Sequence, residues 1–163
     1  MAGIPVHRTP IRPEWIDYNG HLRDAFYTLI ASEACDALMD RLGMDEAYRR
    51  RTACTLYTLE LHVHYLSEVK GTDEVGVNVR ILGADAKRLH ADFEIVRARD
   101  AGVAATVEAM LLHVRQSGAA AGTTPFPPEV AAAIAALERQ TAGLPASSAG
   151  SRQMALRRPP SPA

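Results

Sequence analysis

The sequence predicts an α+β fold in which one antiparallel sheet curls around a single long central helix. A helical pattern of about 19 residues, ~28 Å long at the usual rise per residue, comes early in the chain. Four stretches with the alternation of β-strands follow it, and strands of about eight residues are ~27 Å long. Because the helix and the strands match in length, the helix can cover one face of the sheet.

The segment before the helix, Ile4 to Ile16, alternates loosely around Pro10 and Pro13, which is typical of an edge or irregular strand. The helix itself is predicted from about Asp24 to Leu42. Its polar residues recur at every fourth position and apolar residues cover most of the remaining surface, so more than half of its circumference should be buried. Asp24 can cap its start, and Gly43 favours its end.

The strands come next and continue until Pro125, where a short Ala-rich helix to about Gln140 is predicted. Arg99–Gly102 suits a tight turn between the last two strands, so an antiparallel meander is the expected topology. The predicted strands are Leu59–Tyr65, Val75–Ile81, Leu89–Arg97 and Val103–Arg115.

All of these elements belong to one predicted domain, residues 1–140, because 163 residues suffice for one core. Residues 141–163 are rich in Ala, Ser, Pro and Gly and almost empty of large hydrophobic residues, which predicts a disordered C-terminal tail. When a helix covers only one side of a sheet, the other face and the two edges stay open. Pairing with a second copy of the chain can cover them. We therefore expect a homodimer or a dimer of dimers.

The composition excludes several classes of function. Its 18 Lys and Arg against 19 Asp and Glu give a net charge of −1, so a nucleic-acid partner is not expected. No apolar run approaches the roughly 20 residues that cross a bilayer, and the first ten residues lack the apolar core of a secretory signal. We expect a cytoplasmic protein without a membrane partner. Cys35 and Cys54 match no metal-binding spacing, and neither a metal nor another cofactor is expected.

The segment Asp17–Asp24, DYNGHLRD, places polar side chains beside the unpaired N–H groups of a helix N-terminus. Hydrolysis of a thioester needs a carboxylate that activates water or attacks the carbonyl, and N–H donors for the oxyanion that forms. Asp17 can supply the carboxylate, and the backbone N–H groups near Arg23 and Asp24 can supply the donors. Gly20 would permit a positive φ or a close approach of substrate.

A purely structural interpretation of this loop is open at the same time. Asp-Tyr-Asn-Gly is a common turn sequence, and spacing alone favours that simpler interpretation. His21 can fix the loop or take part in catalysis. Trp15, Tyr18 and Tyr27 lie close to Asp17 in sequence and can pack as ordinary aromatic residues.

The pattern Asp17-x-x-Gly20-His21, followed by an apolar residue, two polar residues and Tyr27, resembles the 4-hydroxybenzoyl-CoA thioesterase-like branch of the hotdog superfamily. The resemblance covers roughly residues 6 to 130 and implies a hotdog-fold acyl-CoA thioesterase. It implies that Asp17 is the nucleophile or general base and that helix N–H groups polarise the thioester carbonyl. The implied catalytic residues are Asp17, Gly20, His21 and Asp24, and the implied substrate-binding residues are Trp15, Asn19, Arg23 and Tyr27.

Within that branch, residues 12–21, 110–114 and 125–130 look most like the betainyl-CoA thioesterases of carnitine breakdown, which occur alone or fused to carnitine dehydrogenase. The narrower resemblance implies betainyl-CoA as the substrate. Trp15, Tyr18 and Tyr27 could then surround its quaternary ammonium, although ordinary packing is the simpler interpretation of these residues. Arg23-Asp24 departs from the branch, in which many relatives carry a small or amide residue followed by Asn. Other short, medium or aromatic acyl-CoA substrates therefore remain alternatives.

Two other functions also remain open. Hotdog enoyl-CoA hydratases typically carry Asp-x-Asn-Pro-x-His, whereas here Asp17 and His21 are four positions apart and no Pro lies between them. A non-catalytic module would bind acyl-CoA without releasing a thiol. Retention of Asp17 argues against this second alternative.

Overall fold

The computed structural model describes residues 3–118 and 120–144. Within these residues the chain forms six β-strands and three α-helices, and a 3-10 turn at Pro13–Trp15 follows the first strand. In chain order the elements are β1 (Ile4–Pro10), α1 (Asp24–Arg41), α2 (Glu46–Thr52), β2 (Cys54–Tyr65), β3 (Glu74–Ala84), β4 (Arg88–Arg97), β5 (Val103–Ser117), β6 (Ala120–Thr123) and α3 (Pro128–Thr141).

The strands form one antiparallel sheet in the order β1-β3-β4-β5-β2, and α1 packs against one of its faces. Alternate residues of the central strands point into this core, and the buried side of α1 meets them. Fully buried core side chains include Ile30 and Leu38 of α1, Val77 of β3, Phe93 of β4 and Val107 of β5. The predicted architecture, one sheet around one long helix, is confirmed.

The predicted meander is only partly correct. Strands β3, β4 and β5 are neighbours in chain order, but β2 pairs with the far side of β5 and β1 pairs with β3. The 15 residues of β5 allow it to pair with β4 on one side and with the 12 residues of β2 on the other. In this register Leu61 lies opposite Ala109 and Val63 opposite Val107, so the apolar side of β2 joins the face that α1 covers.

Two short elements were missed. We expected only strands between α1 and Pro125, but residues Glu46–Thr52 form α2, with the Asp45 side chain accepting a hydrogen bond from the Tyr48 N–H at 2.8 Å as its N-cap. Tyr48 is buried, and its hydroxyl lies 3.0 Å from His113 Nε2. The strand β6 was also missed, because its sequence Ala-Ala-Gly-Thr carries no alternation.

The helix α1 starts at Asp24, as predicted, but its N-cap is a different residue. Its N-cap is Arg23, which makes no side-chain capping bond, so a capping role for Asp24 is wrong. Asp24 is the first helical residue, and its carboxylate accepts a hydrogen bond from the Ala25 N–H at 2.9 Å. The helix ends at Arg41, and Gly43 follows with a φ of 80°, as its predicted role in the helix end requires.

The helix α3 begins with Pro128 in its first turn, as predicted, and ends at Thr141. Ile134 and Leu137 of this helix join the core, and the Thr141 hydroxyl accepts a 3.4 Å hydrogen bond from the Ile81 N–H of β3. Residues 145–163, which make up most of the predicted disordered tail, lie outside the described residues. Within the described part of the chain, no helix is long and apolar enough to cross a membrane.

Candidate active site

The segment before α1 is attached to its surroundings by backbone hydrogen bonds. Ile16 and Leu22 form an antiparallel bridge that closes the loop between them. The Leu22 N–H donates to the Val69 carbonyl at 2.8 Å, and His21 forms a second bridge with Lys70. These bonds place the loop against the connection between β2 and β3, far away in sequence.

Inside the loop, Asp17 organises the turn through one carboxylate oxygen. Its Oδ1 accepts hydrogen bonds from the Asn19 N–H at 2.8 Å and from the His21 N–H at 3.1 Å. The hydrogen bond from His21 is the main reason why the pKa of the Asp17 carboxyl is lowered from its ordinary value. Asp17 is therefore ionised at neutral pH. Because both backbone bonds reach Oδ1, Oδ2 stays clear of the loop backbone.

Gly20 closes the turn with a conformation that other residues adopt with strain. Its φ is 81°, and its N–H donates to the Asp17 carbonyl at 3.1 Å. A methyl group at this position would meet no atom within 4 Å. Of the two roles considered for Gly20, a positive φ and a close approach of substrate, the structure shows the positive φ.

The Asp24 N–H at the start of α1 has no acceptor among the described residues. The Arg23 N–H donates to the Trp15 carbonyl at 3.0 Å, and the Ala25 N–H is taken by the Asp24 side chain. Among the residues that the structure describes, none accepts a hydrogen bond from the Asp24 N–H. This N–H lies at the positive end of the helix dipole, where negative charge is favoured.

Asp17 and the start of α1 border the same cavity, which has a volume of about 460 Å³. That volume lies in the range of small-molecule sites. Two segments form the wall, the loop with the first turn of α1 and the end of β2 with the residues after it. The lining residues are Asp17, His21, Leu22, Arg23, Asp24, Tyr27, Tyr65, Leu66, Ser67 and Glu68.

The structure brings five of the eight predicted site residues to this cavity: Asp17, His21, Arg23, Asp24 and Tyr27. Asn19 and Gly20 shape the loop behind it. Trp15, predicted to bind substrate, is 2% exposed, stacks on Phe26 with ring centroids 5.4 Å apart, and has the Arg12 guanidinium 4.6 Å above its ring. The geometry of Trp15 is that of core packing.

The residues that sequence reasoning missed come from the end of β2 and the connection to β3. The Tyr65 hydroxyl donates to the Asp24 carbonyl at 3.2 Å, and the Tyr65 and Tyr27 rings meet edge to face at 5.2 Å. Glu68 Oε2 lies 3.1 Å from His21 Nε2. No local pattern marks these residues, because they reach the loop only through the pairing of Leu22 with Val69.

The candidate site has no built-in metal centre. In the described residues, no three or more His, Cys, Asp or Glu side chains are grouped so that they could hold a metal ion. His62 Nε2 lies 2.8 Å from Glu60 Oε1, and neither residue lines the cavity. The side chains that line the cavity offer carboxylate, imidazole, guanidinium, phenol and hydroxyl groups.

Comparison with known proteins gives one family for most of the chain. The model of the thioesterase-like superfamily matches residues 11–134. A betainyl-CoA thioesterase from Pseudomonas aeruginosa is 43% identical over 142 residues, which are 87% of this chain and 88% of that protein. An L-carnitine dehydrogenase/betainyl-CoA thioesterase from Agrobacterium fabrum is 36% identical over 94% of this chain, which spans 31% of that longer protein.

Similarity to a solved structure agrees with the sequence matches. A Staphylococcus aureus protein solved in complex with CoA has a TM-score of 0.78 and 28% identity, with 96% of this chain and 98% of that chain covered. The order of elements, the sheet and the central helix are thus shared with a protein that binds CoA.

Proposed function

Because the chain belongs to the thioesterase-like superfamily and is an acyl-CoA thioesterase of the hotdog fold, we propose that it hydrolyses betainyl-CoA to betaine and CoA in carnitine breakdown. The observation that carries the catalytic part is the cavity shared by an ionised carboxylate, Asp17, and the unpaired Asp24 N–H. A thioester carbonyl between them meets a nucleophile or base on one side and an oxyanion donor on the other.

In the proposed reaction, Asp17 Oδ2 takes a proton from water, which attacks the thioester carbonyl, or Oδ2 attacks the carbonyl itself. The Asp24 N–H stabilises the negative charge that develops on the carbonyl oxygen. Collapse of the tetrahedral intermediate breaks the C–S bond and releases CoA as a thiolate that takes up a proton. On the second route, water then cleaves the mixed anhydride on Asp17, and both routes yield betaine.

His21 and Gly20 position this carboxylate. The His21 N–H bonds to Asp17 Oδ1, and the His21 carbonyl accepts the Asp17 N–H at 2.9 Å, so the two residues hold each other's backbone. Gly20 supplies the turn between them. Fixing Oδ1 leaves one orientation for Oδ2, and such preorganisation lowers the cost of reaching the transition state.

The choice of betainyl-CoA draws support from the two relatives whose names contain that activity. The acidic lining of the cavity, with Asp17, Asp24 and Glu68 against the single cation Arg23, agrees with an acyl group that carries a positive charge.

A homodimer is part of the proposal, with β2 as the contact. This strand lies at the edge of the sheet and exposes large apolar side chains, Tyr57, Leu59 and Leu61. Pairing of two β2 strands would satisfy the open edge and cover these side chains. Because CoA thioesters are intracellular metabolites, the proposal also places the enzyme in the cytoplasm.

A thiol-release assay with the purified protein tests the substrate. The panel contains betainyl-CoA, acetyl-CoA, benzoyl-CoA, a long-chain acyl-CoA and crotonyl-CoA. We expect the highest kcat/KM for betainyl-CoA. A clear preference for another acyl group would overturn betainyl-CoA as the substrate but would not contradict thioesterase activity. Loss of enoyl absorbance from crotonyl-CoA without thiol would indicate a hydratase, and tight binding without thiol release would indicate a binding module.

A further inference from the structure

The charge of the cavity is unusual for a site that accepts a CoA ester. CoA carries several phosphate charges, yet three carboxylates and one guanidinium line this cavity, a formal balance of −2 with His21 neutral. A phosphate group placed here would be repelled, whereas a cation would be attracted. The cavity next to Asp17 therefore suits the acyl end of a cationic thioester rather than the nucleotide end.

Two tyrosine rings give the same cavity an apolar corner. Tyr27 is 4% exposed and forms its inner wall, and the ring of Tyr65 stands at 82° to it. A quaternary ammonium has no N–H to donate, so proteins hold it against aromatic faces with carboxylates nearby. Burial raises the pKa of Tyr27, so this ring stays neutral at working pH.

The chemistry of a betainyl group limits where its cation can lie. Its nitrogen is separated from the thioester carbonyl carbon by a single methylene, so the residues that hold the cation must adjoin those that polarise the carbonyl. Tyr65 meets this requirement, because its hydroxyl donates to the carbonyl of Asp24, the residue whose N–H is the oxyanion donor. Glu68 also lies beside the catalytic groups, because its carboxylate contacts the His21 ring and the His21 N–H bonds to Asp17.

The other aromatic residues near the loop are not placed to hold a cation next to the thioester carbonyl. Trp15 is enclosed between Phe26 and Arg12, and the Tyr18 side chain is 96% exposed outside the cavity. Of the three aromatic residues considered from sequence, Tyr27 lines the cavity while Trp15 and Tyr18 do not, and Tyr65 of β2 is the second ring in the lining.

We propose that Tyr27, Tyr65 and Glu68 form the subsite that binds the quaternary ammonium of the acyl group and sets the specificity of the enzyme. The inference rests on the proposed function and adds residues that hold the substrate's charge. It separates the catalytic Asp17 from the residues that select the acyl group.

A pair of isosteric substrates tests the subsite. Betainyl-CoA and 3,3-dimethylbutyryl-CoA differ only in a quaternary nitrogen that becomes a quaternary carbon, so the ratio of their kcat/KM values measures recognition of the charge. The ratio is measured for wild type and for Tyr65→Leu, Tyr65→Phe, Glu68→Gln and Glu60→Gln. Glu60 is the matched control, because it also pairs with a histidine, His62, but lies outside the cavity lining.

We expect wild type to favour betainyl-CoA by at least about 10-fold, and Tyr65→Leu and Glu68→Gln each to reduce that ratio by about 5- to 10-fold. Tyr65→Phe keeps the ring, and Glu60→Gln leaves the cavity intact, so both should keep the wild-type ratio within about 2-fold. Tetramethylammonium chloride should inhibit wild-type hydrolysis of the neutral ester more than sodium chloride at equal ionic strength, an effect that needs no variant to fold.

The outcomes distinguish the two proposals. Wild type that fails to favour betainyl-CoA overturns the proposed substrate. A second outcome overturns the subsite alone. In it, wild type favours betainyl-CoA, but Tyr65→Leu and Glu68→Gln keep the wild-type ratio or lower the kcat/KM values of both substrates equally. Equal inhibition by the two salts also contradicts a cation-binding corner in this cavity.

Discussion

At the scale of single residues, the two oxygens of the Asp17 carboxylate have different roles in the proposed site. Oδ1 accepts the Asn19 and His21 N–H groups and shapes the turn. Oδ2 accepts neither of these backbone bonds, and the proposed reaction assigns it to water or the thioester. The turn and catalytic interpretations of Asp-Tyr-Asn-Gly are therefore compatible, because the turn is what orients the carboxylate.

Gly20 gives a prediction at this scale. A side chain at its φ of 81° is strained whatever the free space, so Gly20→Ala should lower the free energy of unfolding by about 1 kcal/mol. Gly122→Ala is the matched control, since its position is equally open but has no positive φ. Urea unfolding measures both variants. Equal stability of the two would contradict the conformational role of Gly20.

At the scale of elements, the site depends on three segments that are distant in sequence. The end of β1 leads into the loop, and the first turn of α1 supplies the Asp24 N–H. The end of β2 supplies Tyr65, and the connection to β3 supplies Glu68. The pairing of Leu22 with Val69 holds the loop to that connection. Displacing the end of β2 would therefore change the acyl pocket without touching Asp17.

The elements also show what sequence could predict. The helix α1 and the strands β3, β4 and β5 follow strong periodic patterns, and their bounds differ from the predictions by only a few residues. The helix α2 has only seven residues, and the one local signal for it in the sequence is Asp45 at its N-cap. Tyr65 and Glu68 could not be assigned, because their approach to Asp17 is set by tertiary pairing between segments about 50 residues apart.

The edge strand β2 gives the second prediction. If two copies pair through β2, Leu59→Lys should shift dimers to monomers, with a dissociation constant raised at least about 10-fold, because it places a charge in an apolar contact. Leu59 is 55% exposed. Leu82→Lys is the control, since Leu82 is 41% exposed on β3, an inner strand. Sedimentation velocity over a range of concentrations measures the change, and an unaltered dimer in Leu59→Lys would exclude this edge.

At the scale of the whole molecule, surface carboxylates couple stability to pH. Burial alone would raise the pKa of Asp85, but hydrogen bonds from Arg88 and neighbouring N–H groups outweigh it, and the pKa is lowered from 3.8. The hydrogen bond from Arg8 similarly lowers the pKa of Glu74 from its ordinary 4.5. Each group stabilises the fold fully above its unfolded pKa and loses that contribution as the pH falls through its folded pKa.

The third prediction follows from the sign of these shifts. The free energy of unfolding contributed by these groups should be constant from pH 7 to pH 5 and should fall as the pH drops below about 4. Asp85→Asn should be less stable than wild type at pH 7, with the difference shrinking toward pH 3. Urea titrations at pH 7, 5, 4 and 3 measure this. A difference that grows on acidification would contradict the assignment of Asp85.

The central claim is that the Asp17 carboxylate carries thioester hydrolysis, and the most direct measurement is kcat/KM for thiol release from betainyl-CoA by Asp17→Asn. Asparagine keeps an oxygen for the Asn19 and His21 N–H groups, so the loop should fold as before. Asp100→Asn is the matched control, because Asp100 accepts the Gly102 N–H in a similar turn outside the cavity.

We expect a folded Asp17→Asn protein whose kcat/KM is lower by about 10²- to 10⁴-fold, and Asp100→Asn close to wild type. A correctly folded Asp17→Asn enzyme that retains wild-type kcat/KM on every acyl-CoA that the parent hydrolyses would contradict the account.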